Sequence, residues 1–170
     1  SPAGKAADFS MVEGLRVPVL ATLLAARGEA RSVLAVTATG REVDAVIGSL
    51  RAYLPTATVL DFPAWETLPH ERLSPSAETV GRRLEVLRRV AGWSGTTPLV
   101  VTASVRAALQ PLAGGLAEVE PVVLATGGRG HDLDQVSSRL VELAYHRVDM
   151  VSRRGEFAVR GGILDVFPPV

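Results

Sequence analysis

Residues 32–62, SVLAVTATGREVDAVIGSLRAYLPTATVLDF, decide the fold. Ser32–Thr37 is a compact apolar, β-branched run of the kind that sits in the middle of a parallel sheet, covered on both faces. Glu42–Tyr53 then sets Val43, Val46, Ile47 and Leu50 on one helical face, and the periodicity stops before Pro55. Ala57–Phe62 returns to a strand-like run. Strand, helix and strand joined by short loops predict a parallel sheet with helices on both sides, an α/β domain. The same stretch speaks against nucleotide binding. A phosphate-binding loop needs G-x-x-x-x-G-K-[ST] after the first strand, because backbone amides and the lysine hold the phosphates together. Here Val36-Thr37-Ala38-Thr39-Gly40-Arg41-Glu42 lacks the paired glycines and the lysine, and the only lysine of the chain is Lys5.

The pattern extends in both directions. Residues 11–27 read as a helix with Leu15, Val19, Leu20, Leu23 and Leu24 near one face, stopped by Gly28. Residues 77–92 form the clearest helix, with Val80, Leu84, Leu87 and Val90 on one stripe. Glu78 to Arg82 and Glu85 to Arg89 lie at the favourable four-residue spacing, so the arginines of RRLEVLRR read as a mostly solvated face. Pro98–Thr102 is a third buried strand, and Ser104 is placed to cap a short helix after it. Residues 1–117 are expected to form this α/β domain.

From Glu118 the texture changes. Val122–Ala125 reads as a strand, Gly127–Gly130 as a loop, and Asp132–Ala144 as a helix with Leu133, Val136, Leu140 and Leu143 inward. Val148–Val151, a turn at Arg154-Gly155, and the strands Phe157–Arg160 and Ile163–Phe167 suggest an antiparallel α+β unit over 118–170. Alternation puts Phe157 and Val159 on one face and Glu156, Ala158 and Arg160 on the other, so Arg160 points away from the apolar face. Pro168-Pro169-Val170 follows a strand directly, which reads as a domain cut short.

Composition narrows the function. The 170 residues carry 18 basic and 18 acidic groups. Residues 1–117 hold 12 and 10 of them and residues 118–170 hold 6 and 8. A nucleic-acid interface draws its affinity from neutralised phosphates and needs a basic excess, so direct nucleic-acid contact is disfavoured. There is no cysteine, no spanning apolar run and no signal-peptide pattern in residues 1–10, and the chain reads as cytoplasmic. Seventeen of the 18 basic residues are arginine, which suggests a GC-rich genome.

Catalytic chemistry is missing as well. His70, His131 and His146 have no second ligand at local spacing, so no metal site is expected. No G-x-S-x-G elbow is present. Gly127-Gly128-Arg129-Gly130 reads as a turn into a helix capped by Asp132, whose charge would oppose a phosphate there. No cofactor and no catalytic residue are expected. The stiff loop FPAWETLPHERLSP, residues 62–75, leaves Trp65 open as either a core residue or a contact.

That loop, the helix RRLEVL, and the stretch AYHRVDMVSRRGEFAVRGGILDVFP together resemble the UvrB-homology region of the bacterial transcription-repair coupling factors (Mfd), amino-terminal in that family. The likeness in arrangement runs from about residue 10 to the end. UvrB shares the form R-G-x-F-x-V-R-G followed by an apolar strand and Phe-Pro, but the match to the coupling factors is closer. The resemblance implies a degenerate helicase-like (RecA-like) domain without a P-loop, followed by the domain through which UvrB and the coupling factors contact UvrA. The space between strand 57–62 and helix 77–92 is too short for the long hairpin with which UvrB probes DNA. By resemblance, Arg160 in A-V-R-G and Arg147 in Y-H-R-V-D are candidate UvrA contacts, and Arg154 is added from its expected exposure beside a turn. The expected role is a non-catalytic docking module that brings UvrA to lesions where RNA polymerase has stalled. Two alternatives stand beside it: a DNA-binding fragment of UvrB type, and a structural module restraining the motor domains of an intact translocase.

Overall fold

The computed structural model describes residues 7–25, 31–67, 74–128 and 130–170. Lys5, Gly28, His70 and Arg129, and with them part of the 62–75 loop, lie outside the described residues. In chain order the elements are a 3-10 turn at Glu13–Leu15, α1 (Arg16–Ala25), β1 (Ser32–Thr37), α2 (Gly40–Tyr53), β2 (Thr58–Phe62), α3 (Ala77–Ala91), β3 (Leu99–Ser104) and α4 (Val105–Leu109). After a 3-10 turn at Leu116–Glu118 come α5 (Leu133–Glu142), β4 (His146–Arg147), β5 (Glu156–Arg160) and β6 (Ile163–Phe167).

The first sheet is parallel, in the order β1-β3-β2, and helices cover both of its faces, as an α/β fold requires. Val59 and Val100 face one way, into a cluster with Ala21 and Leu24 of α1 and Val43, Ile47 and Leu50 of α2. Phe62 and Ala103 join Val86 of α3 and Ala107 of α4 on the opposite side. Among the described residues four helices have side-chain caps, α5 through Asp132, which accepts from the Asp134 amide at 2.8 Å. Thr39 accepts from the Glu42 amide at 3.3 Å, Ser76 from the Thr79 amide at 3.2 Å, and Ser104 from the Ala107 amide at 3.2 Å.

Several expectations are corrected. β1 is an edge strand and β3 takes the centre, so Leu34 and Val36 of β1 stay 59% and 46% exposed. In α1 the stripe that turns inward is Val17, Leu20, Ala21 and Leu24, while Leu15 and Leu23 remain half exposed. Nearly every position of that helix is apolar, so the sequence offered two stripes about 100° apart and packing chose one. In α3 the buried positions are Thr79, Gly81, Arg83 and Val86, and Val90 is exposed. Arg83 is therefore in the core, and its neighbour Arg82 pairs with Asp61, not with Glu78.

The second sheet is mixed, not purely antiparallel: β4 runs parallel to β5, and β5 pairs antiparallel with β6. Residues 122–125 form no strand, and Val123 and Leu124 stay exposed because no ladder partner lies beside them among the described residues. Gly161 and Gly162, at φ of 56° and 84°, make the two-residue turn that closes the β5–β6 hairpin, a conformation that side chains with a Cβ resist. The two sheets meet at α3. Pro169 and Val170 lie on Gly81, Gly155 lies on Ala77, and Arg154 reaches Glu78 at 3.6 Å.

Candidate functional site

The β5–β6 hairpin fixes the position of Arg160. Its register opposes Ala158 to Asp165 and Arg160 to Ile163, which puts all four side chains on one face of the ribbon. Asp165 is then the diagonal neighbour of Arg160, and Nη2 of Arg160 meets Oδ2 of Asp165 at 2.9 Å. Both side chains remain about half exposed, at 56% and 45%. Ala158 on that face is fully buried. The accessible part lies toward the turn, where Arg160 and Ile163 stand out.

Arg154 is exposed as expected, but it is already engaged. Its Nη1 donates to the carbonyls of Pro168 and Pro169, both at 3.2 Å, and its guanidinium lies over the Phe167 ring at 5.2 Å. With Glu78 added, Arg154 ties the 152–155 turn to the chain after β6 and to α3. The turn has a second anchor. Glu156 accepts from the Ser152 and Arg153 amides, each at 2.8 Å, and these hydrogen bonds hold its carboxyl below the usual range.

Arg147 faces the other way. β4 pairs Arg147 with Phe157 and His146 with Glu156, so Arg147 shares the Phe157 side of the sheet and Arg160 the opposite side. The structure thus sets Arg154 and Arg160 at opposite ends of β5, and Arg147 on the far face of the edge strand. The residue that sequence reasoning missed is Asp165. Its spacing of five from Arg160 across a Gly-Gly turn was the available signal, since a two-residue turn makes that pair diagonal neighbours.

Trp65 is a packing residue. Its ring and that of Phe62 sandwich the Arg83 guanidinium at 4.2 and 3.9 Å, and Nη1 of Arg83 donates to the Pro63 carbonyl at 2.6 Å. Arg106 and Gln110 hold the Trp65 backbone from below: Gln110 accepts from the Trp65 amide at 2.7 Å, and Arg106 donates to its carbonyl at 2.9 Å.

At the carboxyl ends of β1, β2 and β3, where α/β sheets bind ligands, a cavity of about 430 Å³ is lined by Thr39, Gly40, Asp44, Asp61, Ser104 and Arg106 among others. Its lining sets Arg106 against two carboxylates and has no lysine. Thr39 spends its hydroxyl on the cap of α2, and Asp44 and Asp61 present two carboxylates. Burial raises the Asp61 carboxyl and Asp44 adds to the effect, while Arg82 opposes both. Among the described residues there is no cluster of metal-ligating side chains and no helix long and apolar enough to cross a membrane.

Residues 123–170, which carry the β5–β6 hairpin and all three arginines, match the family model of the UvrB interaction domain. By fold and site the chain is therefore an α/β unit joined to a UvrB interaction domain. It is 53% identical over 161 residues to the transcription-repair-coupling factor of Mycobacterium bovis, covering 91% of this chain and 13% of the relative. The factor of Bacillus subtilis is 35% identical over 173 residues, covering 92% and 14%, and that of Myxococcus xanthus 37% identical over 115 residues, covering 66% and 9%. The chain belongs to the family of transcription-repair coupling factors, and it spans about an eighth of the length of the curated relatives it matches.

Proposed function

We propose that this chain is a non-catalytic docking module of transcription-coupled nucleotide excision repair, which recruits UvrA to lesions where RNA polymerase has stalled. In this reading residues 1–117 form the scaffold and 118–170 the UvrA-binding unit, working in the bacterial cytoplasm. The observation that carries it is the placement of Arg160: exposed, at the end of a hairpin fixed by a Gly-Gly turn, inside the segment that matches the UvrB interaction domain. A guanidinium held on a rigid ribbon offers planar, directional donors to an acceptor on another protein at small entropic cost. Arg154 fixes the 152–155 turn at the start of β5, the opposite end of the strand from Arg160. Arg147 lies on the opposite face, so a partner touching both arginines must wrap the β4 edge.

The test is a titration of purified UvrA against the full-length protein and its Arg160→Glu variant. A buried, charge-assisted contact is worth about 2–5 kcal/mol on truncation, so the variant should bind at least tenfold more weakly. Equal affinity would remove Arg160 from the interface. A second reading, a structural module that packs against and restrains the motor domains of the intact factor, is favoured by Leu34 and Val36. These are apolar side chains left exposed on the edge strand of the first sheet. The two roles use different faces and are compatible.

A further inference from the structure

The face that carries Arg160 also carries its competitor. Asp165 sits on the same side of the hairpin and already takes one donor of the guanidinium, Nη2 at 2.9 Å. This contact is set by the covalent frame: a two-residue turn through Gly161 and Gly162 holds the strands in register, and the register makes Arg160 and Asp165 diagonal neighbours. The pair is open to solvent on both sides, so little desolvation has been spent to make it and little holds it closed.

We propose that Asp165 acts as an internal stand-in for an acidic group of the partner, holding Arg160 in the unbound protein and giving it up when the partner docks. This inference rests on the docking reading and names the regulation of that same site. A partner carboxylate that reached Arg160 with Asp165 in place would put two negative charges within a few ångströms of each other, in an interface from which water is being expelled. The like-charge repulsion there is stronger than at an open surface. Binding is then an exchange of one carboxylate for another. The exchange lowers affinity but selects for partners whose acidic group can displace Asp165, and it keeps the arginine from engaging anions indiscriminately. No other side chain on the described part of this face makes such a contact with Arg160, whereas Arg154 is held by backbone carbonyls that no partner needs to displace.

Purified UvrA, titrated against the full-length protein in four forms, tests it: wild type, Asp165→Asn, Arg160→Gln and the double variant. Both positions are about half exposed, Asp165→Asn is isosteric and Arg160→Gln only shortens a surface side chain, so folding should be retained. Asp165→Asn should bind about two- to fivefold more tightly, the range that the coupling of an exposed pair corresponds to. Arg160→Gln should bind more weakly, and Asp165→Asn should add nothing in its presence, since the carboxylate then has no arginine to withhold. If Arg160→Gln weakens binding while Asp165→Asn weakens it too or leaves it unchanged, Asp165 is no competitor and the inference fails with the docking reading intact. If Arg160→Gln binds like wild type, the docking reading itself falls and takes the inference with it.

Discussion

At Arg83 the chain places a guanidinium, 1% exposed, between the rings of Phe62 and Trp65, with Nε and Nη2 finding no partner among the described residues. Stacking on two aromatic faces and one carbonyl hydrogen bond offset part of the desolvation, but no carboxylate completes the pairing. The balance sets an unusual order among substitutions. Arg83→Met keeps the stem that fills the space between the rings and removes the unsatisfied donors, so it should lie within about 1 kcal/mol of wild type in chemical denaturation. Arg83→Lys keeps the charge but loses the planar fork that stacks, and should cost about 2–3 kcal/mol. If lysine proves as stable as methionine, the aromatic sandwich contributes nothing. The burial of Arg83 was not legible in the sequence. RRLEVLRR presents four arginines of one type, and only a loop some twenty residues upstream, folded back by tertiary contacts, distinguishes the one that goes inside. The outward placement of Arg160 could be read from strand alternation.

α3 is the element on which the two sheets and the 62–67 loop converge. Its cap, Ser76, donates to Glu66 at 2.6 Å, and Thr79 donates to the same oxygen, so a carboxylate latches the loop to the start of the helix. Burial alone would raise the Glu66 carboxyl, but the hydroxyls of Ser76 and Thr79 and two backbone amides outweigh it and hold the group below its ordinary value. A carboxyl lowered on folding adds stability that is present above its unfolded pKa, about 4.3, and lost as pH falls through the folded value. Glu66→Gln should therefore flatten the loss of stability below about pH 4.3, seen as thermal midpoints that converge with wild type at acid pH. An unchanged acid limb would show the latch to be idle. Further along the same helix, a Cβ on Gly81 would lie 2.4 Å from the Cβ of Pro169. Gly81→Ala gains up to about 1 kcal/mol of helix propensity but must push the 168–170 segment away. Amides of β6 should then exchange faster while those of β3 keep their protection; unchanged β6 exchange would mean that the contact does not hold the second sheet. The helices were legible because caps and periodicity agree, as at Ser104 and Asp132. Which stripe turns inward was not, since α1 is apolar almost all round and α3 buries an arginine.

For the whole molecule, the crossover pattern in residues 32–62 was enough to read the α/β class, but not the order of the strands. β1 and β3 are equally apolar, and nothing local states that β3 inserts between β1 and β2; that is decided by which arrangement lets helices cover both faces. The edge position of β1 leaves Leu34 and Val36 bare, so the sequence alone, in which buried and edge strands look alike, overstated the cover. The sequence lacks a phosphate-loop motif, and the carboxyl ends of the strands add a physical argument against phosphate there. Thr39 is consumed by its own helix, and Asp44 and Asp61 line the space that phosphates would fill. Asp44 and Asp61 add like-charge repulsion toward a polyanion, against which Arg106 in the lining and Arg82 beside Asp61 act. Residues 1–170 should consequently show the same unfolding midpoint with and without millimolar magnesium ATP. A ligand present at a hundred times its Kd would add about 2.7 kcal/mol, a shift of several degrees in a chain of this size and readily seen by calorimetry. Such a shift would place nucleotide in the first sheet and overturn the view that this scaffold serves only to present the hairpin.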